Sequence, residues 1–307
     1  MKYLVFDVGG TAIKYALMTE NLDFLEKGKV KTPRTCLEDF VETIGEIYDK
    51  YKDELEGMAF SMPGMLDSKT GYAYTAGSLE YYSNKNIVEI LKGRCNTKIT
   101  IENDGKSAAL AELWQGNLKD CTDGVVILFG TGVGGGIIKD RKLLKGRHFF
   151  SGEFSFMTGN TTLMSNKYEN CWGHLNGSDG LLDEFARVKK LNREEIDGIT
   201  FFWNANNGDK ETLEILDKFA YIAAHSIINV HCILDVDKYL IGGGISEQPL
   251  LMEYIQKNID KCHEELEYDF PKPVIGTCKF RNDSNLIGAL YNFLDTNKII
   301  NINLEDK

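Results

Sequence analysis

LFGTGVGGGIIKD, residues 128–140, places five glycines in the seven positions Gly130 to Gly136, between two apolar runs. Near the N-terminus YLVFDVGGTAIKYALM, residues 3–18, repeats the plan of apolar run, glycine turn and apolar run. Apolar runs of this length around a glycine turn read as β-hairpins. One such turn can be a plain hairpin and nothing more. Two copies suggest two related halves, each opening on a hairpin of a mixed sheet.

Outward from these turns the chain alternates strand and helix patterns. A third strand is expected near EKGKVKTP, and CLEDFVETIGEIYDKYKDEL (36–55) has the apolar spacing of a helix. LEGMAFSMPGMLD reads as a strand running into a Pro63-Gly64 turn. TKITIEND reads as a strand followed at once by the helix GKSAALAELWQGN. In the second half, DGVVILFG, GGIIKD and RKLLKG continue as strands, and residues 217–235 form a long apolar helix. KYLIGGGIS is a strand ending in glycines, followed by the helix PLLMEYIQKNIDKCHEEL, the strand PVIGTCKF and the helix NLIGALYNFL. This alternation predicts α/β layers, and 307 residues favour two domains.

Composition narrows the function classes. A net charge of −11 disfavours nonspecific nucleic-acid binding, which needs a positive surface. No run approaches the roughly 20 apolar residues of a membrane helix. The opening MKYLVFDVGG reads as a first strand, so no signal peptide is expected. Seven scattered cysteines show no disulfide rhythm, and a cytoplasmic location is expected.

Three glycine clusters and two carboxylates are candidates for chemistry. Asp7, followed by Gly9, Gly10 and Thr11, is either a turn residue or the carboxylate of a phosphate turn. In the second case bare backbone N–H groups take phosphate oxygens and Asp7 holds hydrated Mg²⁺. A second turn at Gly130–Gly136 would grip a polyphosphate, and Gly242, Gly243 and Gly244 lie where nucleotides settle in α/β folds. Neither hairpin turn carries the G-K-[ST] of a Walker loop. Asp104, in IENDGKSAALAE, is either a helix N-cap or a general base aimed at a substrate hydroxyl.

The order of these pieces resembles the ROK family (repressors, open reading frames and sugar kinases) of the actin-like ATPase superfamily, over nearly the whole chain. DVGGTAIK is similar to its first phosphate loop, SMPGMLD to its S-x-P-G segment and ENDGKSAALAE to its E-N-D motif. GTGVGGGII resembles the second phosphate loop, SGEF the A-G-E sugar motif, LIGGGIS the adenosine segment and NDSNLIGAL the closing helix. The resemblance implies two actin-like (ribonuclease H-like) α/β domains with mixed sheets and an active-site cleft between them. They would span residues 1–118, completed by the helix at about 285–307, and 119–284. It implies an ATP-dependent hexose kinase with Asp104 as catalytic base. Ser78, Asn103, Asp104, Glu153 and His174 would bind the sugar. Asp7, Gly9, Gly10, Thr11, Lys14, Gly130, Thr131, Gly132, Gly134, Gly135, Gly242, Gly243 and Gly244 would bind ATP, with Asp7 orienting its Mg²⁺. A homodimer is expected, with no nucleic-acid or membrane partner.

Two departures stand out. The family pattern G-E-x-G-H-M reads GEFSFM here, with Phe156 in place of the zinc-binding His. The zinc run C-x-C-G-x-x-G-C-x-E is also missing, and Cys171 and His174 alone do not close a tetrahedral site. No zinc is expected; Phe154, Phe156, Met157, Leu163 and Trp172 would hold the loop by apolar packing. In this the chain looks more like the family's N-acetylmannosamine and β-glucoside kinases than its zinc-bearing glucokinases. The rival readings are a repressor, for which the six residues before Asp7 leave no room for a DNA-binding domain, and a catalytically silent sugar sensor.

Overall fold

The computed structural model describes residues 1–159, 167–266 and 269–300. These fall into two compact units. One comprises residues 1–115, 145–151 and the described residues from Asn282 on; the other comprises the described residues of 116–144 and 152–281.

In the first unit β1 (Lys2–Val8), β2 (Ala12–Thr19) and β3 (Phe24–Lys31) form an antiparallel meander. Helix α1 (Leu37–Asp49) then leads to β4 (Gly57–Met62), which pairs parallel with β1. Short strands β5 (Leu66–Asp67), β6 (Tyr72–Ala73) and β7 (Lys85–Asn86) make a small separate sheet before α2 (Ile87–Arg94). Strand β8 (Ile99–Asn103) completes the main sheet, in the order β3-β2-β1-β4-β8, and runs directly into α3 (Asp104–Gln115). β1 and β4 are buried almost throughout, as strands covered on both faces must be, and Phe6 stacks on Phe60 at 4.6 Å.

The second unit opens on β9 (Gly124–Phe129), β10 (Val133–Lys139) and β11 (Lys142–Leu143), again antiparallel. After α4 (Trp172–Leu175), α5 (Ser178–Lys189), α6 (Gly198–Asn206) and α7 (Lys210–Leu234) come β12 (Lys238–Gly242), α8 (Pro249–Glu265) and β13 (Ile275–Thr277). The sheet order is β11-β10-β9-β12-β13, with β9, β12 and β13 parallel. Position for position this repeats the first sheet, so the two halves read from the paired glycine turns are two copies of one topology. The chain closes with α9 (Ser284–Thr296), which belongs to the first unit and packs along α3. Gly288 lies against the Ser107 backbone, and the Trp114 and Tyr291 rings are 5.6 Å apart.

Some boundaries differ from the sequence reading, for local reasons. α7 begins at Lys210 rather than 217 because Asp209 caps it, its side chain accepting the Thr212 N–H at 2.9 Å. α1 stops at Asp49, and Lys52–Glu54 forms a separate 3₁₀ turn. Among the described residues no helix is long and apolar enough to cross a membrane.

Candidate active site

The hairpin register sets the first cluster. Asp7 and Lys14 face each other across β1 and β2, and the Lys14 ammonium lies 3.4 Å from Asp7 Oδ2. Asn285, at the start of α9, donates to Asp7 Oδ1 at 2.9 Å. The turn itself is closed by Gly9 N–H to the Ala12 carbonyl. Thr32 pins it from outside, its hydroxyl donating to the Gly9 carbonyl at 2.6 Å and its N–H to the Thr11 carbonyl. The Gly10 and Thr11 N–H groups make no hydrogen bond to a described residue. A Cβ at Gly10 would come 2.6 Å from Ser78 Oγ, so Ser78 overlies this turn.

A continuous set of contacts leads from Ser78 to Asp104. A Cβ at Gly77 would meet Pro63 at 3.2 Å, and Asn103 Nδ2 donates to the Gly64 carbonyl at 3.0 Å. Gly64 itself has φ +107°, and a Cβ there would lie 2.1 Å from the Thr75 carbonyl, so only glycine fits this bend. The fully buried Tyr82 donates to the Pro63 carbonyl at 2.8 Å. Burial pushes its phenol well above the ordinary range, and the nearby Asp104 charge adds to the shift.

The structure bears on the cap reading of Asp104. The cap bond of α3 is made by Asn103, whose Oδ1 accepts the Lys106 N–H at 3.1 Å. Asp104 is the first helical residue, half-buried, with Oδ1 accepting the Gly105 N–H at 2.8 Å. Asn103 is therefore largely committed to the protein, with one amide N–H beyond its Gly64 bond for a substrate. Behind the pair, Glu102 Oε1 accepts the Asn103 N–H, and the Lys145 ammonium sits 2.6 Å from Glu102 Oε2. Lys106, also buried, donates to the Phe149 carbonyl at 3.0 Å. The strap Lys145–Ser151 thus braces the strand end that carries Asn103 and Asp104.

In the second unit β9 ends beside β12, with Leu128 opposite Gly242. The second and third glycine clusters are neighbours for that reason. Gly243 has φ +92°, and a Cβ there would lie 2.1 Å from the Phe129 carbonyl. Gly130, Gly134 and Gly244 are exposed, with nothing within 4 Å of an added Cβ. Gly135 and Gly242 instead face the core, against Phe154 and against Leu128 and Cys278 respectively; packing alone accounts for them. The Gly130 N–H closes the turn onto the Gly132 carbonyl at 2.9 Å, leaving the Thr131 and Gly132 N–H groups without a described partner. Beside Gly244 lies a cavity of about 290 Å³ lined by Ser246, Pro249, Met252, Cys278 and Arg281.

Glu153 precedes a 3₁₀ turn, Phe154–Phe156, and is half-buried. Ser155 ties that turn to the glycine loop, accepting the Val133 N–H at 2.9 Å and donating to the Val133 carbonyl at 3.1 Å. His174 lies on α4, edge-on to Tyr168 and on the wall of a cavity of about 250 Å³ with Asp183, Glu184, Arg187 and Lys218. Phe154 and Trp172 are buried together, 5.8 Å apart, and Met157 packs against the same core. Phe156 is not buried with them: it is 58% exposed, with the exposed Tyr168 ring edge-on to it at 6.4 Å, so the expected burial of this residue does not occur. Leu163 lies outside the described residues. Among the described residues no group of three or more His, Cys, Asp or Glu could hold a metal ion. A Mg²⁺ ion carried by nucleotide phosphates needs no such cage: one carboxylate and water complete its shell, and Asp7 beside the first turn fits that role.

Thr32, Tyr82, Lys145, Ser155 and Asn285 escaped the sequence reading. Only Asn285 and Ser155 had a signal, through NDSNLIGAL and the GEFSFM departure.

Two hairpin glycine turns on duplicated sheets, with a carboxylate at the end of a third parallel strand, define the class. The chain matches the ROK family over residues 3–296 and belongs to it. The architecture is that of the family's actin-like ATPase fold. A β-glucoside kinase of Listeria monocytogenes is 27% identical over 301 residues, covering 96% of this chain and 98% of its own. A solved Listeria monocytogenes protein described as a candidate N-acetylmannosamine kinase superposes with a TM-score of 0.89 at 25% identity, covering 97% of this chain and all of its own. A ROK family protein of Streptococcus pneumoniae, solved in complex with sucrose, gives 0.87 at 27% identity over 98% of this chain and all of its own.

Proposed function

We propose that this chain transfers the γ-phosphoryl group of ATP to a hydroxyl of a hexose or hexose derivative, with Asp104 as the general base. The chain is a sugar kinase by the kinship of its whole length to named sugar kinases. One observation carries the assignment of the base: Asn103 makes the helix cap, so the carboxylate at position 104 is not required there.

Phosphoryl transfer asks for positioning and charge neutralisation more than for covalent chemistry. The N–H groups of Gly10, Thr11, Thr131 and Gly132, which have no partner among the described residues, are donors for phosphate oxygens. Mg²⁺, when bound with the nucleotide, neutralises phosphate charge, and Asp7 would orient its water shell. Asp104 takes the proton of the attacking hydroxyl, while Ser78, Asn103, Glu153 and His174 are the candidates for holding the other hydroxyls. The substrates named for the relatives are a β-glucoside, N-acetylglucosamine, N-acetylmannosamine and glucose. A β-glucoside comes first, because a β-glucoside kinase matches 96% of this chain and 98% of its own length.

The test is ADP release across cellobiose, other β-glucosides, glucose, N-acetylmannosamine and N-acetylglucosamine, for the wild type and Asp104→Asn. The variant should bind ATP as the wild type does and lose roughly 10²-fold or more in kcat. Substantial remaining turnover would refute the base. No turnover by the wild type with any sugar would leave the sugar-sensing reading in its place.

A further inference from the structure

Two hydroxyls crowd the second glycine turn. A Cβ at Gly132 would lie 2.8 Å from Ser155 Oγ and 3.2 Å from Tyr168 Oη, and a Cβ at Gly173 would lie 2.4 and 2.5 Å from the same atoms. Glycine at both positions is what admits the pair. Their hydrogen bonding differs. Ser155 is committed on both its donor and acceptor sides to Val133. The Tyr168 hydroxyl donates to no described residue; its ring only packs edge-on between Phe156 and His174, with centroids 6.4 Å away on each side. It is a donor held over a turn whose own Thr131 and Gly132 N–H groups are also without described partners.

We propose that the Tyr168 hydroxyl is a phosphate ligand, donating to a terminal-phosphate oxygen of the nucleotide held at the Gly130–Gly134 turn. This rests on the reading of that turn as a nucleotide site. A phenol supplies one neutral donor, and a hydrogen bond to an ionised oxygen is among the stronger kinds. Three donors at one turn, two from the backbone and one from Tyr168, suit an oxygen-rich anion better than a sugar ring that needs acceptors as well. Ser155 acts differently, as a positioning residue: it fixes the turn from beneath and links it to the strand of sequence that begins at Glu153.

The experiment is Tyr168→Phe in the full chain, with calorimetric binding of the non-hydrolysable analogue AMPPNP and of AMP, steady-state kinetics and thermal unfolding. Because the hydroxyl has no described partner, its loss should leave Tm and the KM for sugar unchanged. AMPPNP affinity should fall and the KM for ATP rise by roughly tenfold or more, while AMP affinity stays as in the wild type. Wild-type AMPPNP affinity and KM for ATP in the variant overturn the proposal. So does a loss shared equally by AMP, or one that falls on the KM for sugar instead. If wild-type protein binds AMPPNP no more tightly than AMP, the phosphate reading of the turn falls and the proposal with it. If wild-type discrimination is intact and the variant keeps it, only the proposal falls.

Discussion

Among the described glycines, Gly288 is the one where an added Cβ would meet another atom most closely, at the packing of α9 on α3. A Cβ there would lie 1.7 Å from the Ser107 carbonyl oxygen and 2.4 Å from its carbonyl carbon. Real Cβ contacts do not fall below 3.0 Å, so α9 and α3 would have to part by more than an ångström. Both clashing atoms belong to a helix backbone, so no side chain can swing away. Overpacking a core costs about 1–3 kcal/mol and at times more, and the better helix propensity of alanine returns about 0.5–1 kcal/mol. Gly288→Ala should therefore lose about 2 kcal/mol, read as a lower urea midpoint with an unchanged slope. The damage should also reach the chemistry, because α3 carries Asp104 at its first turn: kcat should fall further than either KM changes. Gly93→Ala is the internal control. It is an exposed helical glycine with nothing within 4 Å of an added Cβ, so the same substitution there should be neutral or stabilising. Wild-type midpoint and kcat in Gly288→Ala would refute the packing argument.

The glycine turns can be tested without disturbing the fold, because Gly130 and Gly244 open onto free space. Gly130→Ala and Gly244→Ala should keep Tm within the range of neutral surface changes, about 0.5 kcal/mol, and raise the KM for ATP but not for sugar. Gly10→Val and Gly132→Val meet Ser78, or Ser155 and Tyr168, and should lower Tm as well; an unchanged KM for ATP in Gly130→Ala would sink the phosphate reading of its turn. For metal, elemental analysis should find far less than one zinc per chain, and a strong zinc chelator should leave Tm unchanged. Activity removed by EDTA should return with Mg²⁺ alone, whereas near-stoichiometric zinc would overturn this.

Much of the architecture was legible because it rests on periodicity and on glycine. The apolar runs around Gly9-Gly10 and Gly130–Gly136 mark both hairpins, and Asp104 directly after an apolar strand marks the junction of β8 and α3. What escaped depended on contacts between residues distant in sequence. Asn285 reaches Asp7 across 278 positions, and Lys145, which follows β11 in sequence, pairs with Glu102 at the end of β8. No local pattern announces either. Phe156 shows the opposite failure: its apolar type suggested burial, but the turn Phe154–Phe156 can point only one of its two phenylalanines inward, and Phe154 takes that place against Trp172. Asp104 shows why a motif alone leaves a role open. A carboxylate at a strand-to-helix junction is compatible with a cap or a base, and the Asn103 bond to Lys106, which no local pattern announces, shows that the cap is made by the neighbouring residue.

The strand order explains why residues so scattered in sequence form two clusters. In the first sheet β1, β4 and β8 are parallel and adjacent, so their carboxyl ends share one edge. Asp7 and Gly9 come at the end of β1, Pro63 and Gly64 follow β4, and Asn103 and Asp104 close β8 and open α3. In the second sheet β9, β12 and β13 stand in the same relation, and Gly130, Gly243 and Cys278 follow their ends. Ligands gather at the carboxyl ends of parallel strands because the chain must leave the sheet there, exposing turn N–H groups and helix N-termini. The duplication therefore supplies two comparable edges, and the residues placed on them differ. One edge has a buried, braced strand end that can hold a carboxylate in a fixed pose. The other has the exposed Gly130, Gly134 and Gly244, and like the first turn it carries N–H groups without a described partner. On the proposed function, bulky side chains at Gly130 and Gly244, which open onto free space, should leave both sheets intact and lower activity with ATP.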